Sequence, residues 1–325
     1  MAKTNADGSK SLGRGDLLAI VIGNVIGGGV MTMTGLAIGI TGRSIILSYI
    51  ICAIMVTIVA LPQFFLSATI RMNGGFYTQA AMFGGKWFAG LYSVVFVSYF
   101  FGAATYSISF ADYVLSAFPE INGKLVAFAI LTVFVVLNLT GIQVAAKVQY
   151  AMVIILILAL LVFAGFGFIH LEPGYFSEEQ FFTGVMSAAA LLSMATSGTP
   201  HFIILTIYVL CSIIILSGMN IGDVANIGNT LANCVQVILC LAIITMPKKI
   251  PEIWKRSQFH INDNAYTFLC ILGALVSAAF VYYECLEIQV GHIIGIFVYL
   301  AIACIYPIIR AKFHKIEINI SYEEA

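Results

Sequence analysis

The sequence predicts an all-α protein that crosses a membrane many times. Apolar residues (Ala, Val, Ile, Leu, Met, Phe, Trp, Tyr and Cys) make up 61% of the 325-residue chain, and charged residues only 9%. A soluble domain carries about 25% charged residues, so this chain has too few polar groups to cover itself in water. Its apolar residues occur in long runs and not in the alternating segments, about ten residues long, of a β-barrel.

The predicted spans follow from the lengths of these runs. A helix needs about 20 apolar residues to cross the hydrocarbon core of a bilayer. Ten runs meet this requirement, and they lie at 16–40, 45–70, 87–116, 124–141, 148–170, 180–198, 200–219, 222–246, 264–284 and 288–310. The polar segments 1–15 and 311–325 are the predicted tails of one transmembrane domain that covers residues 1–325.

The basic residues predict how the spans are oriented. With the N-terminus inside, all 15 Lys and Arg residues fall on the cytoplasmic side except Arg43 and Lys124. Cytoplasmic loops carry an excess of Lys and Arg, so both termini are predicted to be cytoplasmic. The connector 248–260 is then cytoplasmic, and the acidic connector 171–180 is external. The arrangement also needs a cytoplasmic turn at 197–201, which contains no Lys or Arg.

Composition and spacing argue against several classes of function. The net charge is +0, so there is no basic excess to attract nucleic acid. The 5 His and 7 Cys are scattered, and no pair has the spacing of metal ligands. Neither a G-x-S-x-G motif nor a catalytic triad order is present. We therefore expect no enzyme activity, no metal and no cofactor, and we expect lipid as a partner.

A run of glycines interrupts the first predicted span. Gly27, Gly28 and Gly29 are consecutive, and each destabilises a helix interior by about 1 kcal/mol relative to alanine. A membrane helix tolerates such a break where the backbone is buried in protein or lines a cavity. Amide N–H groups at the start of a half-helix attract an anion such as a carboxylate, and the freed carbonyls can bind an ammonium group. An amino acid zwitterion presents both groups.

Helix packing is an alternative interpretation of the glycines. Gly23 and Gly27, and also Gly35 and Gly39, have the G-x-x-x-G spacing of closely packed membrane helices. The glycines alone do not decide between a packed helix and a binding site.

Polar residues inside the third span are further candidates. Ser98, Gly102 and Thr105 form a small stripe at i, i+4 and i+7, which can line a cavity or pack against another helix. Asp112, near the external end of the same span, is the one acid that the sequence places well inside the membrane. Acids at such positions are functional candidates, although this one can also be interfacial.

Five short stretches carry recognisable motifs. Residues 24–31 read NVIGGGVM, and the second span ends in Leu61-Pro62 with NGGFY at 73–77. The fifth span opens with GIQVAAKV at 141–148, and 182–198 read FTGVMSAAALLSMATSG. Together these segments resemble the amino acid–polyamine–organocation superfamily, and the chain is similar to a bacterial amino acid permease over most of its length.

The resemblance implies a LeuT-like fold of two inverted five-helix repeats followed by two further helices. Substrate sits at mid-membrane between the unwound parts of helices one and six. The glycine amides are implied to bind the substrate carboxylate, and nearby carbonyls its amine. The implied substrate-binding residues are Ile22, Gly23, Gly27, Gly28, Gly29, Ser98, Gly102, Thr105, Ala195 and Thr196. The implied function is a secondary transporter (permease) for amino acids or related amines, located in the cell membrane.

The chain departs from the family pattern after helix six begins. Thr199-Pro200-His201 resemble the start of the family's ninth helix, so the second half of helix six and helices seven and eight are missing by this comparison. The predicted organisation is a first repeat at 16–170, a truncated second repeat at 180–246 and two C-terminal helices at 264–310. A non-transporting remnant or membrane scaffold of the same family is therefore the alternative function.

The missing helices also bear on ion coupling. In sodium-coupled relatives the eighth helix supplies hydroxyl ligands for the ion. Leu156 stands where some proton-coupled relatives have a lysine. The resemblance therefore predicts uncoupled transport, by facilitated diffusion or exchange.

Overall fold

The protein is almost entirely helical. The computed structural model describes residues 33–72, 75–140, 142–169, 184–192, 201–313 and 322–324, together with Gly15, Leu18 and Ile22. Within these residues, six helical segments are long and apolar enough to cross a membrane: Met33–Thr69, Phe76–Ala117, Val144–Ile169, Ile221–Lys249, Asp263–Glu287 and Val290–Arg310. The prediction of an all-α polytopic membrane protein is confirmed at this level. The inverted repeat and the orientation of the termini stay predictions.

The elements follow one another with short connections. The helices are α1 (33–41), α2 (Ile45–Thr69), α3 (Gly75–Phe96), α4 (Phe100–Ala117), α5 (Gly123–Leu139), α6 (Ile142–Ile169), α7 (Val185–Leu192), α8 (His201–Ser217), α9 (Ile221–Ile243), α10 (Met246–Lys249), α11 (Pro251–Arg256), α12 (Asp263–Glu287) and α13 (Val290–Phe313). The strands β1 (Ile70–Met72) and β2 (Tyr322–Glu324) pair in an antiparallel ribbon.

Most predicted spans coincide with one helix to within a few residues. This holds for α2, α5, α8, α9, α12 and α13, whereas α6 begins at Ile142 and its predicted span began at 148. Apolar runs of this length form helices in a membrane because every backbone polar group must be satisfied within the segment. The predicted spans 16–40 and 180–198 extend outside the described residues.

The third predicted span, 87–116, is not one regular helix. A 3-10 turn at Val97–Tyr99 separates α3 from α4. Within α3, Gly85 has φ 81° and ψ −176°, a conformation that L side chains rarely adopt and that glycine accepts. The turn of α3 before Gly85 is therefore a helix end, and Lys249 Nζ donates to its carbonyls, Met82 O at 2.8 Å and Phe83 O at 3.0 Å.

The helices form two compact units. The described part of the first unit holds α1, nearly all of α4, and α5, α6 and α8. In it, α5 packs against α6 and α8. Polar contacts join α5 to α8 at two levels: Thr132 Oγ1 lies 3.1 Å from Tyr208 Oη, and Lys124 Nζ donates to Leu216 O at 2.9 Å.

The second unit holds α2, α3, α7, α9–α13 and the ribbon. There α3 packs on α13, and α7 packs on α12. Its core surrounds Trp254 and Tyr266, which are 1% and 0% exposed. Trp254 Nε1 donates to Asp263 Oδ1 at 2.8 Å, and Tyr266 Oη lies 3.4 Å from the carbonyl of Ile243. These bonds satisfy the polar atoms of the large aromatic side chains, as burial requires.

Candidate functional site

Most of the predicted substrate-binding residues lie outside the described part of the chain: Gly23, Gly27, Gly28, Gly29, Ala195 and Thr196. Ile22 is described, with helical backbone and a partly exposed side chain. The helices that flank the two segments are also described, since α1 follows the glycine run and α7 ends at Leu192, just before Ala195. The site at the unwound backbone therefore stays a prediction.

The small polar stripe of the third span does not lie on one continuous helix. Ser98 is inside the 3-10 turn, whereas Gly102 and Thr105 belong to α4. Ser98 and Thr105 are buried, at 1% and 0% exposure, and the Ser98 hydroxyl donates to the carbonyl of Val95. The i, i+4, i+7 spacing assumed unbroken α geometry. The turn interrupts that geometry, so the spacing alone no longer indicates a shared face.

The short helix α7 is built for close packing. Gly184, with φ 78°, precedes it, and Ala188 and Ala189 are fully buried. Small side chains allow membrane helices to approach closely. Helix α7 packs on α12. Helix α12 thus contacts the helix that precedes the predicted segment Ala195–Thr196.

The buried acid of the membrane region is not the one that the sequence indicated. Asp112 is exposed on α4. Glu284, in the last turn of α12, is 1% exposed. Asn233 on α9 donates from Nδ2 to Glu284 Oε1 at 2.9 Å. Among the described residues, the acid that the protein encloses is therefore Glu284, at the end of a span, whereas Asp112 is exposed.

Glu284 was missed because its position in the sequence is uninformative. It stands at the predicted end of an apolar run, where a glutamate ordinarily reaches water. The signal that marks it is on another helix: Asn226, Asn229, Thr230 and Asn233 have the i, i+3, i+4, i+7 spacing of one helical face. A polar face on an apolar helix must find polar partners inside the protein.

The contacts between α9 and α12 define an antiparallel pair. Asn233 meets Glu284, and Tyr266 Oη reaches the carbonyl of Ile243. Between these levels, a Cβ added at Gly273 would lie 3.3 Å from Cys240 Sγ. Residue numbers rise along α9 as they fall along α12, so the polar face of α9 runs toward the end of α12 that carries Glu284.

Neither a metal site nor a disulfide is formed among the described residues. No group of three His, Cys, Asp or Glu side chains is close enough there to hold a metal ion. The cysteines, all seven of which are described, are free thiols, and Cys211, Cys240 and Cys270 are fully buried.

Comparison with known proteins identifies the family. The sequence profile described as "Amino acid permease" matches residues 12–197, which is more than half of the chain. The match contains both segments with predicted substrate-binding backbone. It ends at the predicted junction near Thr199-Pro200-His201.

Two relatives match a similar share of the chain. The branched-chain amino acid permease BcaP of Bacillus subtilis is 26% identical in an alignment 212 residues long, and the alignment covers 58% of this chain and 46% of the relative. An uncharacterised protein of Methanocaldococcus jannaschii is 27% identical over 206 residues, with the same two shares. The aligned region thus spans less than half the length of these curated relatives. With its apolar helices, the protein is a multi-pass membrane protein of the cell membrane, and the chain belongs to the amino acid permease family.

Proposed function

We propose that the chain is a secondary transporter for amino acids or related amines, and that it binds them at the unwound part of the first helix. The observation that carries this proposal is the extent of the family match, which includes Gly27, Gly28 and Gly29 as well as Ala195 and Thr196. Exposed amides and carbonyls at such breaks are suited to the carboxylate and the ammonium group of one substrate. The backbone supplies this recognition, so no charged side chain is needed at the site.

The first substrates to test are leucine, isoleucine and valine. One relative is named as a branched-chain amino acid permease, and at 26% identity this name is a starting point for the choice of substrates. Amines without a carboxylate form the second group. An aliphatic amine that is carried as well as leucine would argue against a carboxylate bound at the glycine amides.

A pair of matched variants tests the binding site. The full chain is reconstituted in liposomes, and counterflow of labelled leucine is measured. Gly28→Leu is expected to abolish binding, because its side chain fills the site and blocks the approach of substrate to the backbone. Gly35→Leu is the control: Gly35 is exposed on α1, and an added Cβ meets no described atom within 4 Å. Leucine is favourable in a membrane helix, so both variants are expected to insert. Leucine counterflow in Gly28→Leu with the rate and concentration dependence of the wild type would instead indicate that the glycines serve helix packing.

A non-transporting remnant or scaffold is the second candidate function. The observation that favours it is the coverage: the match reaches 46% of each relative's length. The same liposomes decide between the two candidates. Folded protein that shows no counterflow of any amino acid or amine would favour the remnant, and stereoselective counterflow would exclude it.

A further inference from the structure

Glu284 is a carboxyl group enclosed by protein at the end of a membrane span. Its side chain is 1% exposed. Oε1 accepts one hydrogen bond, from the neutral amide of Asn233 at 2.9 Å. The Thr230 hydroxyl is within hydrogen-bonding reach of the carboxyl, and its own hydrogen is donated to Asn226 O at 2.8 Å. Oε2 is buried, and no described donor meets it with hydrogen-bond geometry.

Helices α2, α7 and α9, which contact α12, provide no positive charge for a carboxylate. Among the described elements, α7 and α9 pack against α12, and α2 approaches it at Gly273. None of these three helices, nor α12 itself, contains Lys, Arg or His. The basic residues Lys255 and Arg256 are on α11, which meets α12 at Asp263 and Tyr266, the end opposite to Glu284. Helix α13, which follows α12, carries His292 in its first turn. The thiols of Cys234 and Cys285 lie near the carboxyl. The other titratable groups on α2, α9 and α12 are Tyr49, Cys52, Asp223, Cys240, Asp263, Tyr266, Cys270, Tyr282, Tyr283 and Glu287.

An ionised carboxylate is a poor fit to these surroundings. Burying a charge without a counter-charge is strongly unfavourable, and a buried acid normally becomes neutral instead. A proton on Oε2 removes the charge, and Oε1 keeps the hydrogen bond from Asn233. Ser277, two turns earlier on α12, is fully buried and its hydroxyl also has no partner among the described residues. Polar groups thus continue along α12 beyond the acid itself.

We propose that Glu284 holds a proton in the resting protein, and that Glu284 and Asn233 form a proton-binding site of this permease. The proton is exchanged with water, and no redox step is involved. Loss of the proton puts a negative charge on α12, and α12 packs against α7, the helix that leads to Ala195 and Thr196. Substrate exchange then depends on pH, and this coupling, unlike the proton site itself, rests on the proposed function. The proposal departs from the prediction of uncoupled transport.

Infrared spectroscopy tests the proton site without any transport assay. The full chain in lipid nanodiscs at neutral pH is expected to show the C=O band of a protonated carboxylic acid, with its shift in D2O. The band is expected to be absent in Glu284→Gln and retained in Glu287→Gln, which removes an exposed carboxyl group one turn along the same helix. Glu284→Asp is expected to move the band, which keeps the test decisive if Glu284→Gln does not fold.

Two results would overturn the proton site. One is a carboxylate signal from Glu284 at neutral pH. The other is an acid C=O band that is absent in sodium and appears only when sodium is replaced by choline. That result would make Glu284 a sodium ligand. An acid band of equal intensity in both salts supports a protonated Glu284.

Leucine counterflow against external pH tests the coupling. The wild type and Glu287→Gln are expected to change rate by about fivefold or more across the titration of the site, as is usual for coupled sites. Glu284→Gln is expected to have a flat profile. If Glu284→Gln kept the pH profile of the wild type, the coupling would be overturned, even where the wild type shows the infrared band. Absence of counterflow in every variant would instead count against the proposed function.

Discussion

The helices α6 and α9 are both apolar and both long enough to cross a membrane, yet their surroundings differ. Only 6% of the most apolar stretch of the α6 span is buried in the described part of the protein, against 44% for the span that contains α9. On α6, large side chains such as Phe163 and Ile169 are 78% and 79% exposed. On α9, Asn229 and Thr230 are each 1% exposed.

This difference separates two roles that hydropathy alone does not distinguish. A helix that contacts lipid needs only apolar side chains, because its backbone is already satisfied internally. A helix inside the protein can carry amides and hydroxyls, provided that they find partners. The span with the more polar sequence is therefore the one in which a functional group is expected, and α9 holds the partner of Glu284.

The largest expected difference between the two helices comes from removing a leucine side chain. Leu239→Ala on α9 opens a cavity at a residue 1% exposed and is expected to lower the free energy of unfolding by about 2–5 kcal/mol. Leu158→Ala on α6, at a residue 57% exposed, is expected to change it by less than about 0.5 kcal/mol. Unfolding in mixed micelles, followed by tryptophan fluorescence, measures both. Equal losses would mean that α6 packs against another helix.

A smaller contrast is expected from enlarging a glycine. At Gly273, which faces α9, a Cβ would lie 3.3 Å from Cys240 Sγ and 3.5 Å from Ile58 O. Gly273→Val is therefore expected to destabilise the protein by about 1–3 kcal/mol through overpacking. At Gly165 on α6, an added Cβ meets no described atom within 4 Å. Gly165→Val should leave the unfolding midpoint in the same micelles unchanged or slightly raised. A midpoint that falls equally in both variants would contradict the contrast.

The smallest contrast concerns a hydrogen bond. Asn233→Leu removes the donor to Glu284 Oε1 and is expected to destabilise the protein by about 1 kcal/mol if that carboxyl is neutral. A loss of about 3 kcal/mol or more at neutral pH would indicate an ionised carboxylate left without its partner. Asn138→Leu is the control, because Asn138 is exposed on α5 and donates only to its own helix, at Phe134 O. Its unfolding free energy should stay within about 0.5 kcal/mol of wild type.

The sequence was sufficient to predict helices that depend on local composition. The ends of α2 and α12 lie close to the predicted ones, because each helix is a long apolar run that ends at polar or turn-forming residues. The turn at Val97–Tyr99 was not predictable, since these residues include no glycine or proline. Gly85 offered a signal in its Gly84-Gly85 pair, but a left-handed conformation there depends on tertiary contacts such as those of Lys249.

The two candidate sites also differ in how far they depend on local sequence. The glycine run is a local feature and was found from the sequence, although it lies outside the described residues. The Glu284 site depends on a contact between residues 51 positions apart. The sequence alone cannot give that contact, because it does not reveal which helix faces α12.

The hydrogen bonds from Lys249 to the turn of α3 before Gly85 make the reactivity of this lysine sensitive to the position of α3. Lys248 and Lys249 are adjacent and both exposed, so a soluble amine-reactive reagent reaches them together. The amine of Lys249 is bound to two carbonyls of α3, at Met82 and Phe83, and we expect this to slow its modification relative to Lys248. The ratio of the two modified peptides by mass spectrometry then measures how often the break at Gly85 separates from α10. A substrate that shifts this ratio would reveal motion at α3 without any introduced label.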